Sequence, residues 1–177
     1  MTLTHAEYKT IANNIRPNGQ AFIDGKFCDA ADGTKFETTN PATGQILANV
    51  AHCKAADVDR AVAAARRVFN AGTWSRAEPE ERKEVLLKVA ALVREHTHEL
   101  AVLESLDTGK TINDCMDEIG GEVVNFFQWY AELADKSFGK IAPTGPSALA
   151  LIVKEPAGPW MLTKFGRLER WEPMQFY

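Results

Sequence analysis

The pattern of apolar and polar positions predicts four helices in the middle of the chain. Apolar residues recur at steps of three and four in residues 55–70 and in the segment that begins at Pro79. A third helix is predicted after Thr97, which is taken as its N-cap residue. The fourth helix is predicted from the longest apolar stripe, which runs through residues 112–138. This spacing places apolar side chains on one helix face. Gly139 is predicted to end the fourth helix.

Strands are predicted on both sides of these helices. Asp24-Gly25 is a strong two-residue turn signal between short runs that begin at Ala21 and end at Phe27. A second strand pair is predicted over residues 35–50, around a turn that contains Pro41 and Gly44. A short helix is predicted over residues 4–14.

Near the end of the chain, Ser147–Glu155 carries apolar side chains on both faces. Such a strand should be covered on both sides, and it needs pairing partners from elsewhere. The elements do not alternate as strand, helix and strand, so no complete doubly wound sheet is predicted. The predicted core consists of Leu86, Val89, Leu100, Leu103, Ile119, Val123, Phe127 and Tyr130.

Composition narrows the function classes. The net charge of −4 and the absence of a basic stripe argue against nucleic-acid binding. No apolar run reaches the roughly 18 residues of a membrane-spanning helix, and the N-terminus has no apolar signal sequence. Three unevenly spaced cysteines argue against a disulfide framework and favour a reducing compartment, so a cytoplasmic location is expected.

Several residues are candidates for chemistry, and each also has a structural explanation. Cys53 lies between His52 and Lys54 before a helix, which favours a thiolate, but no third group is visible to orient a catalytic base. Cys115 lies on the apolar face among acids, which favours a buried thiol. His96 and His98 are two residues apart, and no set of four ligands completes a zinc site.

The pair Gly120-Gly121 lies inside a helical period, with no strand before it and no lysine after it. A phosphate-binding loop needs both, so close packing of another element on the helix is the better interpretation.

Six short segments carry a family resemblance because they occur together and in order. They are residues 22–26, 40–44, 57–66, 81–82, 104–110 and 154–158. This set resembles the N-terminal third of the NAD(P)-dependent aldehyde dehydrogenases over roughly residues 20–160. The pattern is most similar to members that act on aminoaldehydes and betaine-like aldehydes.

The resemblance implies an α/β fold of aldehyde dehydrogenase type that is incomplete. As it stands the chain is expected to be mainly helical, with antiparallel β-hairpins near the N-terminus and an oligomerisation-type strand near the C-terminus. The implied divisions are a polar extension over residues 1–20, part of the cofactor domain over 21–140, the arm strand over 141–158 and a divergent tail over 159–177.

The family oxidises aldehydes to carboxylic acids with NAD or NADP. It uses a cysteine nucleophile, an oxyanion-binding asparagine, a glutamate base and a cofactor-binding turn, and places them downstream of this stretch. The asparagine is due after a Pro-Trp pair, but here Pro159-Trp160 is followed by Met161. The chain is therefore predicted to contain no catalytic residue, to be inactive alone and to bind no cofactor, as in a truncated or frame-disrupted copy.

The resemblance also implies half of a monovalent-cation site. Thr39 and Asp107 match two family positions that bind such a cation through oxygen atoms. The remaining ligands lie downstream in the family. Alternatively, Asp107 caps the corner after its helix by accepting a bond from the backbone N–H of Gly109 or Lys110.

A second hypothesis treats the chain as a non-catalytic interaction module or relic. The strand at residues 147–155 would add to a sheet edge of a partner dehydrogenase subunit, or of another copy of this chain. Homo- or hetero-oligomerisation through that strand is expected under either hypothesis.

Overall fold

A computed structural model describes residues 3–158, which form helices and three small hairpins. The helices are α1 His5–Asn14, α2 Ala55–Ala71, α3 Pro79–Glu95, α4 Thr97–Thr108, α5 Ile112–Asp117 and α6 Val124–Leu133. A π-helical segment, Glu118–Val123, joins α5 to α6. The strands are β1 Ala21–Ile23, β2 Lys26–Cys28, β3 Lys35–Thr39, β4 Ile46–Ala51, β5 Lys140–Ala142 and β6 Ala150–Ile152.

The strands form three separate antiparallel pairs, β1–β2, β3–β4 and β5–β6. Both residues of the first turn have positive φ, 55° at Asp24 and 74° at Gly25, which is the primed turn that suits a two-residue hairpin. β3 pairs with β4 from Lys35 opposite Ala51, and the register shifts after Thr38. Both predicted N-terminal hairpins are confirmed, as is a mainly helical structure.

The prediction for residues 147–155 is wrong in two respects. Only Ala150–Ile152 is a strand, and it pairs with Lys140–Ala142 of the same chain, so its partner does not come from elsewhere. Its faces are exposed within the described chain, with Leu151 59% exposed, and the cover expected on both faces stays a prediction. A local turn supplies the partner because two short strands close in sequence can pair at a low entropic cost.

Gly139 does not end the fourth helix, since α6 already stops at Leu133. A Cβ atom at Gly139 would lie 2.6 Å from the carbonyl oxygen of Ile152, so the glycine allows β6 to approach closely. The start of α3 at Pro79 is confirmed, because proline fits the first helical turn.

Thr97 is the first residue of α4, and the N-cap position predicted for it belongs to His96. The Thr97 hydroxyl donates back to the carbonyl oxygens of Val93, at 2.9 Å, and Arg94, at 3.0 Å. These bonds hold the end of α3 against the start of α4.

The core lies where α3, α4 and the π segment pack with α5 and α6, and it is built mostly from small side chains. Its most buried members are Ala90, Ala101, Val102, Cys115, Val124 and Ala131. Six of the eight predicted core residues are half-buried instead, while Leu100 and Tyr130 are exposed. Alanine at the contacts lets helix axes approach closely, which leaves the larger residues at the margins.

The π segment explains why Tyr130 is exposed. Cys115 and Val124 are both fully buried although they are nine residues apart. In a straight α-helix, nine steps of about 100° would put them on opposite sides. The wider π turn brings Val124 round to the buried side, and the apolar stripe predicted from the sequence is rotated outward. The segment predicted as one helix over residues 112–138 is therefore helical without a gap from Ile112 to Leu133, but the π segment breaks its regular α period and it ends before residue 138.

Among residues 3–158, no helix is both long and apolar enough to cross a membrane.

Candidate functional site

A groove of about 1140 Å³ lies between the β1–β2 hairpin, α2 and residues 156–158. Its lining is mostly apolar and includes Phe22, Val58, Ala61, Ala65, Phe69 and Trp74. The α2 part of this lining is the stripe predicted from the sequence to be buried. Val58 and Trp74 are nevertheless 38% and 46% exposed, because the described chain places nothing over them.

Cys53 lines this groove and is exposed, but its environment does not activate it. Partial burial raises the pKa of its thiol, and the negative charge of Asp57 raises it further. The sequence prediction that its neighbours favour a thiolate is therefore wrong. A protonated thiol is a poor nucleophile, so this environment does not favour Cys53 as a nucleophile.

Asp57 forms a buried hydrogen-bond centre at the edge of the groove. Its side chain is 2% exposed and accepts from the backbone N–H of Ala31 at 2.9 Å, that of Lys54 at 3.0 Å and the Arg60 guanidinium at 2.5 Å. The bond from the Lys54 amide and the Arg60 charge hold the carboxyl pKa below its ordinary value. These three bonds join the loop after β2 to the start of α2, so the carboxylate has a structural role.

The sequence analysis did not single out Asp57 or its long-range bond from Ala31. The available signal was an acid three residues after the cap position Lys54, the spacing of a capping box. That spacing predicts the local bond only, because a contact across 26 residues depends on how β2 is placed.

The two residues predicted to bind a monovalent cation lie on elements that meet. The Thr38 hydroxyl donates to the Asp107 carboxylate at 3.1 Å, which brings the end of β3, including Thr39, beside the last turn of α4. The Gly109 amide donates to the Ser105 carbonyl and the Lys110 amide to the Thr108 hydroxyl. Both amides therefore have acceptors other than Asp107, and the cation site stays a prediction.

The remaining candidate residues, His96, His98 and Cys115, have structural roles. Nδ1 of His96 lies 3.2 Å from the Glu99 carboxylate, whereas Nδ1 of His98 lies 3.3 Å from the Tyr8 hydroxyl on α1. Within residues 3–158, no three His, Cys, Asp or Glu side chains come together to hold a metal ion. Cys115 is fully buried, and its pKa is raised by burial and then by Glu104, as expected of a core thiol.

The pair Gly120-Gly121 does not form a phosphate-binding loop. Gly120 and Gly121 lie in the π segment, with Gly120 against Thr97, so they form no cradle of free N–H groups at a helix start. Within residues 3–158, no glycine-rich turn follows a strand and opens a helix.

Comparison with known proteins shows the family to which this order of hairpins and helices belongs. The profile of the aldehyde dehydrogenase family matches residues 27–163. The chain belongs to this family.

Individual relatives agree with this assignment. The chain is 50% identical over 156 residues to the aminoacetaldehyde dehydrogenase of Pseudomonas aeruginosa, covering 88% of the chain and 32% of the relative. It is 43% identical to the NADP/NAD-dependent aldehyde dehydrogenase PuuC of Escherichia coli, covering 89% and 32%. The structure of the P. syringae indole-3-acetaldehyde dehydrogenase AldA, a complex with NAD+, superposes with a TM-score of 0.86 at 39% identity, again covering 89% and 32%.

The chain thus spans about a third of the length of the curated relatives it matches. A relation to aldehyde dehydrogenases of the aminoaldehyde type, predicted from the motifs, is confirmed at the level of the family.

Proposed function

We propose that this chain provides the N-terminal part of an NAD(P)-dependent aldehyde dehydrogenase, and that residues 1–177 do not oxidise aldehydes by themselves. The observation that carries this proposal is the state of the cysteines. Cys115 is buried with a raised pKa, the Cys53 thiol has a raised pKa, and Cys28 is half-buried at the end of β2. None is paired with a base and an orienting group, as thiohemiacetal formation requires.

The substrate class of the complete enzyme is proposed from similarity. The P. aeruginosa relative is named for aminoacetaldehyde, and half of the matched residues are identical. We therefore propose small aminoaldehydes as the substrates of the enzyme to which this region belongs, with a cytoplasmic location.

The test is isothermal titration calorimetry of the purified 177-residue chain with NAD+ and NADP+, beside an assay of aldehyde-dependent NAD(P)H formation. We expect no saturable heat and no NAD(P)H, while circular dichroism shows a helical fold. Micromolar cofactor binding or measurable turnover would overturn the proposal, since either needs groups that the described residues do not provide.

A titration of potassium chloride into the same chain tests the proposed cation position at Thr39 and Asp107. A saturable heat that the Asp107→Asn variant lacks would support the site. No heat in the unaltered chain, or equal heat in both, would show that these two positions alone do not hold the cation.

The exposed β5–β6 hairpin supports a second function, association with another dehydrogenase subunit or with a second copy. Phe138, Ile141, Leu149 and Val153 are all more than 60% exposed, on or beside two short strands. The outer edges of these strands pair with no other strand of the part of the chain that the structure describes. Such an edge can accept a further strand. Light scattering after gel filtration, alone and with a full-length relative, tests this proposal. We expect association that Leu151→Lys removes, and a monomer that never associates would contradict it.

A further inference from the structure

The pair Asn18-Gly19 lies in the loop between α1 and β1, and it is a reactive dipeptide. Among the eight asparagines of the sequence, Asn18 alone is followed by glycine. The backbone nitrogen that follows an asparagine can attack the side-chain amide carbon, and glycine resists this least because it has no Cβ atom. The sequence thus marks Asn18 as its most labile side-chain amide.

The fold holds the Asn18 side chain over the peptide group that can attack it. Its Oδ1 atom accepts from the backbone N–H of Gln20 at 2.9 Å, which folds the side chain back across the Gly19 peptide in an Asx turn. A donor at this oxygen stabilises the negative charge that develops there when the amide carbon is attacked. The Gln20 amide is therefore already in position as an oxyanion donor.

The attacking nitrogen and water are both accessible. Within residues 3–158, the Gly19 N–H donates no hydrogen bond to another residue. Asn18 is exposed, so water reaches its side chain and ammonia can leave. The turn therefore brings together the nucleophile, the oxyanion donor and the solvent that the reaction needs.

Packing prevents the chain from carrying any residue except glycine at position 19. A Cβ atom there would lie 1.9 Å from the carbonyl oxygen of Asn49 and 3.2 Å from Cα of Val50. The Gly19 carbonyl in turn accepts from the Ala51 N–H at 2.7 Å, which joins this loop to β4. The close approach to β4 thus requires the same glycine that makes Asn18 reactive.

We propose that Asn18 is a site of spontaneous deamidation, with water as the only co-reactant. The Gly19 nitrogen attacks Cγ of Asn18, a C–N bond forms, the Cγ–Nδ2 bond breaks, and Nδ2 leaves as ammonia with the proton of the Gly19 amide. Water then opens the resulting succinimide ring at either carbonyl and gives aspartate or isoaspartate. One water is consumed, one ammonia is released and no electron is transferred. This inference does not depend on the proposed enzymatic function.

The isoaspartate product has a structural effect that the aspartate product lacks. Isoaspartate routes the main chain through the side-chain methylene, so the backbone is one carbon longer immediately before Gly19. The Gly19 carbonyl then loses its register with the Ala51 N–H. Because Gln20, Ala21 and Ala51 line the groove beside α2, the modification would loosen one wall of that groove.

Peptide mapping by mass spectrometry tests the proposal on the full chain, incubated at neutral and at mildly alkaline pH. The tryptic peptide over residues 10–26 contains Asn13, Asn14 and Asn18, so two asparagines serve as internal controls. We expect Asn18 to be converted to the acid at least about tenfold faster than the other two. The rate should rise with pH, because base removes the proton of the attacking nitrogen.

Two comparisons assign the reaction to this turn. Asn18→Gln keeps a side-chain amide but would have to form a six-membered imide, so it should show no conversion at position 18. In urea the unaltered chain loses the turn. The folded chain should react no more than about threefold more slowly than the chain in urea, because the bond from Gln20 offsets the lower flexibility of the folded loop.

Hydrogen exchange measures the effect on the fold. The Ala51 amide should exchange about tenfold faster in the isoaspartate form than in the unaltered chain, since exchange follows local opening. Freshly purified Asn18→Asp adds the same charge without lengthening the backbone, and it should leave the exchange of Ala51 unchanged.

Three results would overturn the proposed modification. The first is conversion of Asn18 no faster than that of Asn13 and Asn14. The second is a folded rate below the stated limit, which would show that the fold protects Asn18. The third is equal conversion at position 18 in Asn18→Gln. An Ala51 exchange rate that isoaspartate does not change would overturn the proposed effect on the groove wall.

Discussion

Replacing Gly120 by alanine should lower the free energy of unfolding by about 1–2 kcal/mol, whereas the same change at Gly121 should raise it by up to about 1 kcal/mol. A Cβ atom at Gly120 would lie 2.8 Å from Cγ2 of Thr97, which is too close for two carbon atoms. Among residues 3–158, no atom beyond the neighbouring residues and the helix's own backbone lies within 4 Å of a Cβ at Gly121. Urea unfolding followed by circular dichroism measures both changes.

The two glycines have the same low helix propensity, but only a side chain at Gly120 would meet Thr97. Alanine gains about 1 kcal/mol over glycine in a helix at either position. At Gly120 this gain is outweighed, because Thr97 cannot move away easily. It is buried, and its hydroxyl is bonded to the carbonyls of Val93 and Arg94.

A double substitution isolates that contact. Thr97→Ser removes the methyl group and keeps the hydroxyl, so Gly120→Ala should cost less in this background, by about 1 kcal/mol. Equal costs in the two backgrounds would show that the close approach of the π segment to Thr97 does not limit the site.

Replacing Asp57 by asparagine should lower the midpoint of thermal unfolding by about 5–10 °C. The reason is that the substitution removes a buried negative charge that accepts hydrogen bonds from three donors. The amides of Ala31 and Lys54 and the guanidinium of Arg60 would then face a neutral group. Asp59→Asn is the matched control, two residues along the same helix and exposed, and should change the midpoint little. Differential scanning calorimetry at pH 7 measures both.

The effect of Asp57→Asn on stability should depend on pH, because the pKa of Asp57 is lowered in the folded state. A lowered carboxyl pKa stabilises the fold fully above the unfolded value of about 3.9, and the contribution is lost as pH falls from there through the folded pKa. The stability difference between the unaltered chain and Asp57→Asn should therefore shrink below about pH 4. A difference that stays constant down to pH 2 would mean that the charge of Asp57 is not what stabilises the fold.

The conformational preferences of neighbouring residues made the turns and helix starts of this protein predictable. The turn at Asp24-Gly25 and the helix start at Pro79 depend on the φ preferences of a few neighbouring residues, and both are found where expected. The ordered motifs identified the family for a similar reason, since short segments at fixed spacing need no knowledge of distant contacts.

Predictions failed where a distant contact decides the outcome. The stripe through residues 112–138 has a clean α-helical period, yet the π segment shifts its phase so that Val124 is buried and Tyr130 is exposed. Packing of Gly120 against Thr97 occurs at this shift, and helix periodicity contains no information about it. Similarly, the apolar pattern at residues 147–155 indicated burial, but it does not specify which surface provides the cover.

The sequence by itself determined the family of this protein, its hairpin turns and the approximate extent of its helices, because these depend on residue types at short range. Only the tertiary structure decided which face of the helix over residues 112–133 is buried, the bond from Ala31 to Asp57 and the open groove along α2. Those features depend on how residues tens of positions apart are brought together. Side-chain packing between elements determines these contacts, and the conformational preferences of neighbouring residues do not.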